Sequence, residues 1–366
     1  MSFFSPIQKY IHRFKPFFLC ILAISCLSSN LTQASSSAVI LQYHHVSNDT
    51  PKITSVTPET FREHMSYLAE NKFNVIPLID AVEALRNKQV LPEKTVTITF
   101  DDAYLSIYTN AFPILKEYGF PFAIFVTPTP VDKKYRKFLT WEQLKEMTRA
   151  GATLANHTMS HTHSVEKRPG ETEEQWLARF RQNLAMTEAR IKGKTGQSVK
   201  LFAWTFGETT PELRATLDDM GYVGFGQQSG AAGEYSDFTR LPRFPMAGIY
   251  GVSDFGIKVK SRALPVTKQS PDSSLMTKDN LKPELELTLA KGDYQKKQLK
   301  CYASGQGELK VTWLDKEMTR LKTRANSDLP VGRTRYNCTA PSNSGKHYYW
   351  YSHAWLRLTD EGKALD

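Results

Sequence analysis

Between Ala38 and Phe225 the chain repeats one pattern about seven times: a short apolar run followed by an amphipathic stretch with helical spacing. The runs are "AVILQY", "FNVIPL", "KTVTITF", "PFAIFVT", "ATLAN", "VKLFAWTF" and "GYVGFG". Between them lie "PETFREHMSYLAEN", "LIDAVEALRNK", "LSIYTNAFPILKEYG", "TWEQLKEMTRAG", "GETEEQWLARFRQNLAMTEARIKG" and "TPELRATLDDMG". Several of these begin with Thr, Ser or Pro and end in Gly, as helix caps require. Strand, helix and strand in repetition imply parallel strands joined by helical crossovers. The expected fold is therefore α/β, a distorted (β/α)7-type barrel, with an open doubly wound sheet as the runner-up. In both, reactive side chains belong at the C-terminal ends of the strands.

Beyond "LPRFPMAGIYGVSDF" the texture changes. Residues 265–284, rich in Pro, Ser and Lys, read as a linker. From 285 to 366 "LELTLA", "KKQLKCYA", "ELKVTWLD", "TRYNCTAP" and "YYWYSHAWLRL" alternate like antiparallel strands. Cys301, then Trp313, then Tyr336 two positions before Cys338 follow the order of an immunoglobulin-like sandwich with its tyrosine corner. A C-terminal all-β, Ig-like accessory domain is expected, beside a barrel domain over 35–264.

Residues 1–34 read as a secretory signal peptide. Lys9, Arg13 and Lys15 precede the short apolar core "FFLCILAISCL", and Thr32 and Ala34 supply a small-residue cleavage site. Such a core is too short to span a bilayer, and Ala23 disfavours lipid anchoring through Cys26. An exported protein, periplasmic or extracellular, then keeps two cysteines, Cys301 and Cys338, which an oxidising compartment joins as a disulfide. The formal charge of +10 is not gathered into a basic stripe with interleaved aromatics, so no nucleic-acid partner is expected. It suits contact with anionic envelope polymers.

Two motifs carry chemistry. "KTVTITF" runs straight into Asp101 and Asp102. Adjacent carboxylates repel unless a cation neutralises them, although a helix N-cap with a spare acid is the plainer reading of the dipeptide alone. Then "ATLANHTMSHTHS" places His157 and His161 four apart after an apolar run. On a helical turn that spacing brings both imidazoles to one face, as zinc ligation needs. Either motif alone is weak, but together at one rim they are specific. Two imidazoles and one carboxylate hold a divalent ion and leave positions open for water and substrate.

"TFDD" followed by "HTMSH" resembles the first two motifs of the polysaccharide deacetylases, the fourth family of carbohydrate esterases. The resemblance covers roughly Val39 to Phe244. It implies Asp101 as general base and Asp102, His157 and His161 as metal ligands. The family's third motif, Arg-x-Pro-aromatic-Gly, survives only in part in "FAWTFGE". Phe206 and Gly207 remain, so the Phe206 backbone N–H can serve the oxyanion, but the arginine and proline are missing. Arg243 is a candidate replacement through contact with Asp101, with an edge salt bridge as the alternative. The late stretch "LPRFPM" lacks the histidine that usually acts as general acid. In the poly-N-acetylglucosamine deacetylase branch a Tyr-His pair after the first strand supplies it, and "QYHHV" resembles that pair, which puts His44 in the role. His45 and His163 are expected to be structural.

The implied reaction removes N-acetyl groups from an exported amino-sugar polymer such as poly-N-acetylglucosamine and releases acetate. Zinc is the expected cofactor, with cobalt and nickel equally suited to the donor set. Tyr104 and Trp204 are candidate sugar-stacking residues, with Trp141 and Tyr43 read as core. Serine hydrolase chemistry is disfavoured: no G-x-S-x-G elbow occurs, and Ser160 lies inside the histidine motif. Peptidoglycan and chitin oligosaccharides are alternative substrates. A barrel that binds carbohydrate without turnover is the rival from another class, and the incomplete third motif is its main support.

Overall fold

The computed structural model describes residues 37–365, so the expected signal segment and Cys26 lie outside the described residues. Six strands are adjacent in chain order and parallel: β1 (Ser37–Tyr43), β2 (Thr95–Asp101), β3 (Ala123–Val126), β4 (Thr153–Asn156), β5 (Leu201–Ala203) and β6 (Val223–Phe225). Every residue of β1 and β2 is buried, as a parallel sheet covered on both faces demands.

The crossovers are helical where the sequence shows helical spacing. Thr57 caps α1 (Pro58–Glu70) by accepting from the Thr60 N–H. Next come α2 (Leu78–Arg86) and α3 (Phe112–Tyr118), the latter stopped by Gly119 in the left-handed conformation. Reciprocal Thr–Gln capping boxes open α4 (Trp141–Arg149) and α5 (Glu173–Thr195), and Thr210 caps α6 (Pro211–Asp219). Each box satisfies two backbone N–H groups that would otherwise be unpaired.

The sheet curls but stays open, a half-barrel flanked by helices. Phe244–Pro245 adds to β1 in parallel and Ala232–Gly233 in antiparallel fashion, while Leu241 bridges to Phe225 of β6. The segment 241–245 thus touches both edges of the curled sheet, which brings Arg243 beneath its C-terminal rim.

The C-terminal region is β-rich and has two sheets. One contains β7 (Arg262–Ala263), β10 (Lys300–Ala303), β11 (Gly307–Leu309), β14 (Gly332–Pro341) and β15 (Tyr348–Arg357). The other contains β8 (Val266–Ser270), β9 (Glu284–Leu289), β12 (Val311–Trp313) and β13 (Arg320–Arg324). Inward residues of both, including Leu287, Leu321, Tyr336 and Trp355, form one core. The 265–284 segment carries β8, which pairs with β9.

Cys301 and Cys338 form a disulfide, but they face each other on neighbouring strands of the same sheet. The inter-sheet bridge of an immunoglobulin domain is therefore not what joins them. The Tyr336 hydroxyl donates to the Pro283 carbonyl and accepts from the Ala325 N–H, pinning a loop to β14.

The two regions interlock. The Ala263 N–H donates to Ser37 Oγ, Arg262 pairs with Glu93, and Phe244 meets Trp350 edge-on. Arg214 and Arg240, both buried, each bind Asp237 and Asp272. Among the described residues no helix is long and apolar enough to cross a membrane.

Candidate metal centre and cleft

β2 delivers Asp101 as its last residue, fully buried, and the chain then turns through two residues with positive φ, Asp102 at 72° and Ala103 at 62°. That left-handed pair swings the Asp102 carboxylate off the strand direction toward β4. The end of β4 supplies Asn156, whose side-chain oxygen accepts the Thr158 N–H, and the Thr158 hydroxyl in turn accepts the His161 N–H. Thr158 and His161 are also left-handed, at 61° and 52°. The two histidines therefore do not sit on a helical turn, as their spacing suggested. A strained loop pinned by Asn156 and Thr158 brings them together instead.

The resulting cluster is compact. His157 Nε2 and His161 Nε2 each lie 3.2 Å from Asp102 Oδ1, and the three ligand atoms are within 4.8 Å of one another. His157 Nδ1 donates to the Ala203 carbonyl at 2.8 Å, which fixes the tautomer and leaves Nε2 as a lone-pair donor. Asp102 Oδ1 and His157 Nε2 are buried without a hydrogen-bond partner, an arrangement that costs energy unless something fills the gap. Ligands about 2.0–2.1 Å from a tetrahedral ion stand roughly 3.3 Å apart, close to the observed spacing. Asp102, His157 and His161 thus fit a divalent cation.

Asp101 is held differently. Arg243, fully buried, grips it with two hydrogen bonds, Nη1 to Oδ1 at 2.7 Å and Nη2 to Oδ2 at 2.8 Å. Gln42 Nε2 adds a third at 2.7 Å. Burial alone would raise the Asp101 pKa, but the Arg243 charge and His157 outweigh it and bring the group down to about 2. Burial likewise opposes ionisation of Asp102, and His157 and His161 hold it below the usual carboxylate range. His44 sits at the cleft with Nε2 3.9 Å from Asp101 Oδ2. His45 stacks on Tyr104 with centroids 3.7 Å apart; burial first, then His44, pulls it down to about 4.

Phe206 lies at the rim with φ of 58°. Five of the ten non-glycine residues with positive φ among the described residues are thus Asp102, Ala103, Thr158, His161 and Phe206. Strain of about 1–3 kcal/mol at each such position persists only when the surroundings enforce it.

These residues open onto a cleft of about 640 Å³ lined by His44, Tyr104, His161, Phe206 and Tyr250, and also by Arg333, Arg335 and Trp355 of the C-terminal region. Trp204 is not among them. It is completely buried, stacked on Phe180, and its indole N–H donates to the Thr239 carbonyl, so it is a core residue rather than a sugar platform. Trp141 and Tyr43 are buried as well. Sequence reasoning missed Gln42, Glu208 and the C-terminal arginines. A glutamine inside the apolar run "AVILQY" was the one available signal, for Gln42.

At the C-terminal rim of the curled parallel sheet an Asp–His–His cluster able to hold a metal thus stands beside a buried Asp–Arg pair. Residues 88–225 match the polysaccharide deacetylase family. The chain is 25% identical over 269 residues to the poly-β-1,6-N-acetyl-D-glucosamine N-deacetylase of Escherichia coli K12, covering 64% of this chain and 39% of that protein. It is 24% identical over 238 residues to the protein of that name from Staphylococcus epidermidis, covering 59% and 81%. Among solved structures, IcaB from Ammonifex degensii superposes with a TM-score of 0.54 at 24% identity, over 62% of this chain and 98% of that one. The Streptococcus pyogenes deacetylase PplD in complex with acetate gives 0.55 at 20% identity, over 61% and 98%. Residues 88–225 thus make a polysaccharide deacetylase domain, similar to the poly-β-1,6-N-acetyl-D-glucosamine N-deacetylases.

Proposed function

We propose that this protein hydrolyses N-acetyl groups of an exported amino-sugar polymer, with poly-N-acetylglucosamine the leading substrate. The observation that carries the reading is the Asp102–His157–His161 cluster beside the Arg243-held Asp101. Asp102, His157 and His161 would hold the cation, zinc first among those suited to two imidazoles and a carboxylate. Such an ion supplies Lewis-acid polarisation of the acetyl carbonyl and an acidified water. Asp101, kept ionised by Arg243, accepts the proton of the attacking water at an oxygen with a lone pair to spare. The Phe206 N–H donates to the oxyanion of the tetrahedral intermediate. His44 protonates the amine nitrogen, a poor leaving group until then. Tyr104, braced by His45, offers a ring against which a sugar stacks.

The same reading extends to fold and location. The curled sheet corresponds to the family's distorted (β/α)7-type barrel, with segment 241–245 spanning the gap, over a domain of 35–264. The two C-terminal sheets form an Ig-like sandwich whose disulfide lies within one sheet. A signal peptide over 1–34 and the Cys301–Cys338 bridge support export to the periplasm or beyond. The binding-only alternative draws on the missing third-motif arginine, and the Arg243–Asp101 pair supports the hydrolytic reading over it.

The test is acetate release from soluble β-1,6-linked N-acetylglucosamine oligomers by zinc-loaded protein, with chelator and with zinc restored. Release that chelation stops and zinc restores is expected. Protein that binds zinc and oligomer yet frees no acetate would refute hydrolysis and leave a carbohydrate-binding role.

A further inference from the structure

We infer that Arg333, from the C-terminal β region, is a positioning residue of the deacetylase site and acts through Phe206. The inference rests on the proposed function, because it concerns the oxyanion donor of that reaction. Its basis is a closed circuit of contacts. The Arg333 guanidinium lies 5.1 Å from the Phe206 ring centroid. Arg333 Nη1 donates to Glu208 Oε1 at 2.9 Å, and the other oxygen of that carboxylate, Oε2, takes His163 Nδ1 at 2.7 Å. His163 returns to Phe206, its ring stacked 3.9 Å away and tilted by only 10°. His161, one of the cluster histidines, meets the same phenyl ring edge-on at 4.6 Å.

Phe206 needs such bracing. Its φ of 58° is a conformation that a bulky side chain avoids, and only its surroundings can keep the amide aimed. One side of the circuit, His163 and Glu208, comes from loops of the curled sheet. The other comes from β14, which also sends Arg335 to the Gln227 carbonyl at 3.0 Å. Glu208 is 3% exposed, and a carboxylate so buried requires charged partners. With Arg333 removed, Glu208 and His163 lose their anchor and the Phe206 ring loses its cation. The amide then samples other directions. An oxyanion donor acts only in the transition state, so the defect appears in kcat and not in substrate binding.

The experiment compares wild type, Arg333→Met and Arg333→Lys as zinc-loaded full-length protein. For R333M, kcat for N-acetylglucosamine oligomers should fall about tenfold or more, while KM stays within about twofold. Hydrogen exchange of the segment containing Phe206 should quicken about tenfold, and zinc content should stay unchanged. R333K keeps a cation against Glu208 and Phe206, so it should fold and recover at least a third of the lost rate. Should R333M prove too unstable to purify, R333K with a kcat between wild type and one-tenth of it, and faster exchange at Phe206, carries the inference alone. Unchanged kcat and exchange in R333M overturn it, as they do in R333K where R333K is the one variant that can be purified. A rise in KM with kcat intact also overturns it, because Arg333 would then bind substrate directly. A wild type that holds zinc but releases no acetate sinks the underlying reaction, a failure distinct from the others.

Discussion

Replacing Arg243 by methionine offers the sharpest quantitative test of the site. Methionine fills much of the arginine's volume but carries no charge, so the change isolates the ion pair. Arg243 and Asp101 are both fully buried. Arg243 makes two hydrogen bonds to Asp101, one to Thr99 Oγ1 at 3.2 Å and one to the Gly226 carbonyl at 2.9 Å. After substitution Asp101 retains the Gln42 amide as its one side-chain hydrogen-bond donor among the described residues. Stripping one member from a buried pair costs about 3–5 kcal/mol, and each kcal/mol moves the melting midpoint of a large domain by about 2–4 °C. A drop of about 6–20 °C at neutral pH is expected. The pH dependence reverses as well. In the wild type the Asp101 pKa lies below its unfolded value, so its contribution is present above the unfolded pKa near 4 and lost as pH falls toward 2. In R243M burial loses its main opponent, with His157 and His44 left to counter it, and it lifts the pKa above the unfolded value. Its ionisation then costs stability, and the gap to wild type narrows as pH is lowered from 7 to 4. Adding Asp101→Asn removes the stranded charge, so the double variant should be more stable than R243M alone. Thermal melts from pH 4 to 8 measure all three proteins. An R243M penalty under about 1 kcal/mol, a gap independent of pH, or strictly additive losses would refute the reasoning.

Asp101→Asn in the wild-type background should abolish acetate release while zinc stays near one per chain by elemental analysis; loss of zinc would contradict its role as base. His44→Ala should slow amide hydrolysis by about a hundredfold or more, yet slow an activated aryl acetate far less, since that leaving group needs no proton. Equal losses on both substrates would remove His44 as the acid. Cysteine-to-serine replacement at Cys301 and Cys338, whose sequence separation is 37, should cost about 4 kcal/mol by loop entropy, read as a lower denaturation midpoint with unchanged zinc content.

Much of the sheet was legible because its strands are buried on both faces and so appear as unbroken apolar runs, with caps such as Thr140–Gln143 and Thr172–Gln175 marking where helices begin. The metal-capable cluster was legible because acids and histidines at strand ends have few structural reasons to be there. The route by which His157 and His161 meet was not, because left-handed residues such as Thr158 leave no periodic trace. Trp204 misled because an aromatic beside a strand looks alike whether it faces core or cleft, and only the position of Phe180 and Thr239 decides. Glu208 and Arg333 are 125 residues apart, and no local pattern links them. The intra-sheet disulfide was hidden for a similar reason: cysteine order is shared by several strand pairings, and only register distinguishes them.

The interlocking of the two regions bears on how the chain comes apart. Textural change near residue 265 suggests two bodies that could melt in sequence. Yet Arg214 and Arg240 would each lose one of two carboxylate partners if Asp272 peeled away, leaving two buried cations to share Asp237, and Ser37 on the first strand would lose the backbone amide of Ala263. Detaching the later sheets would also uncover Phe244 beside the edge of the earlier one. Unzipping one half raises the free energy of the other, so heat or denaturant should find a single cooperative event, with little half-unfolded protein for a protease to trim.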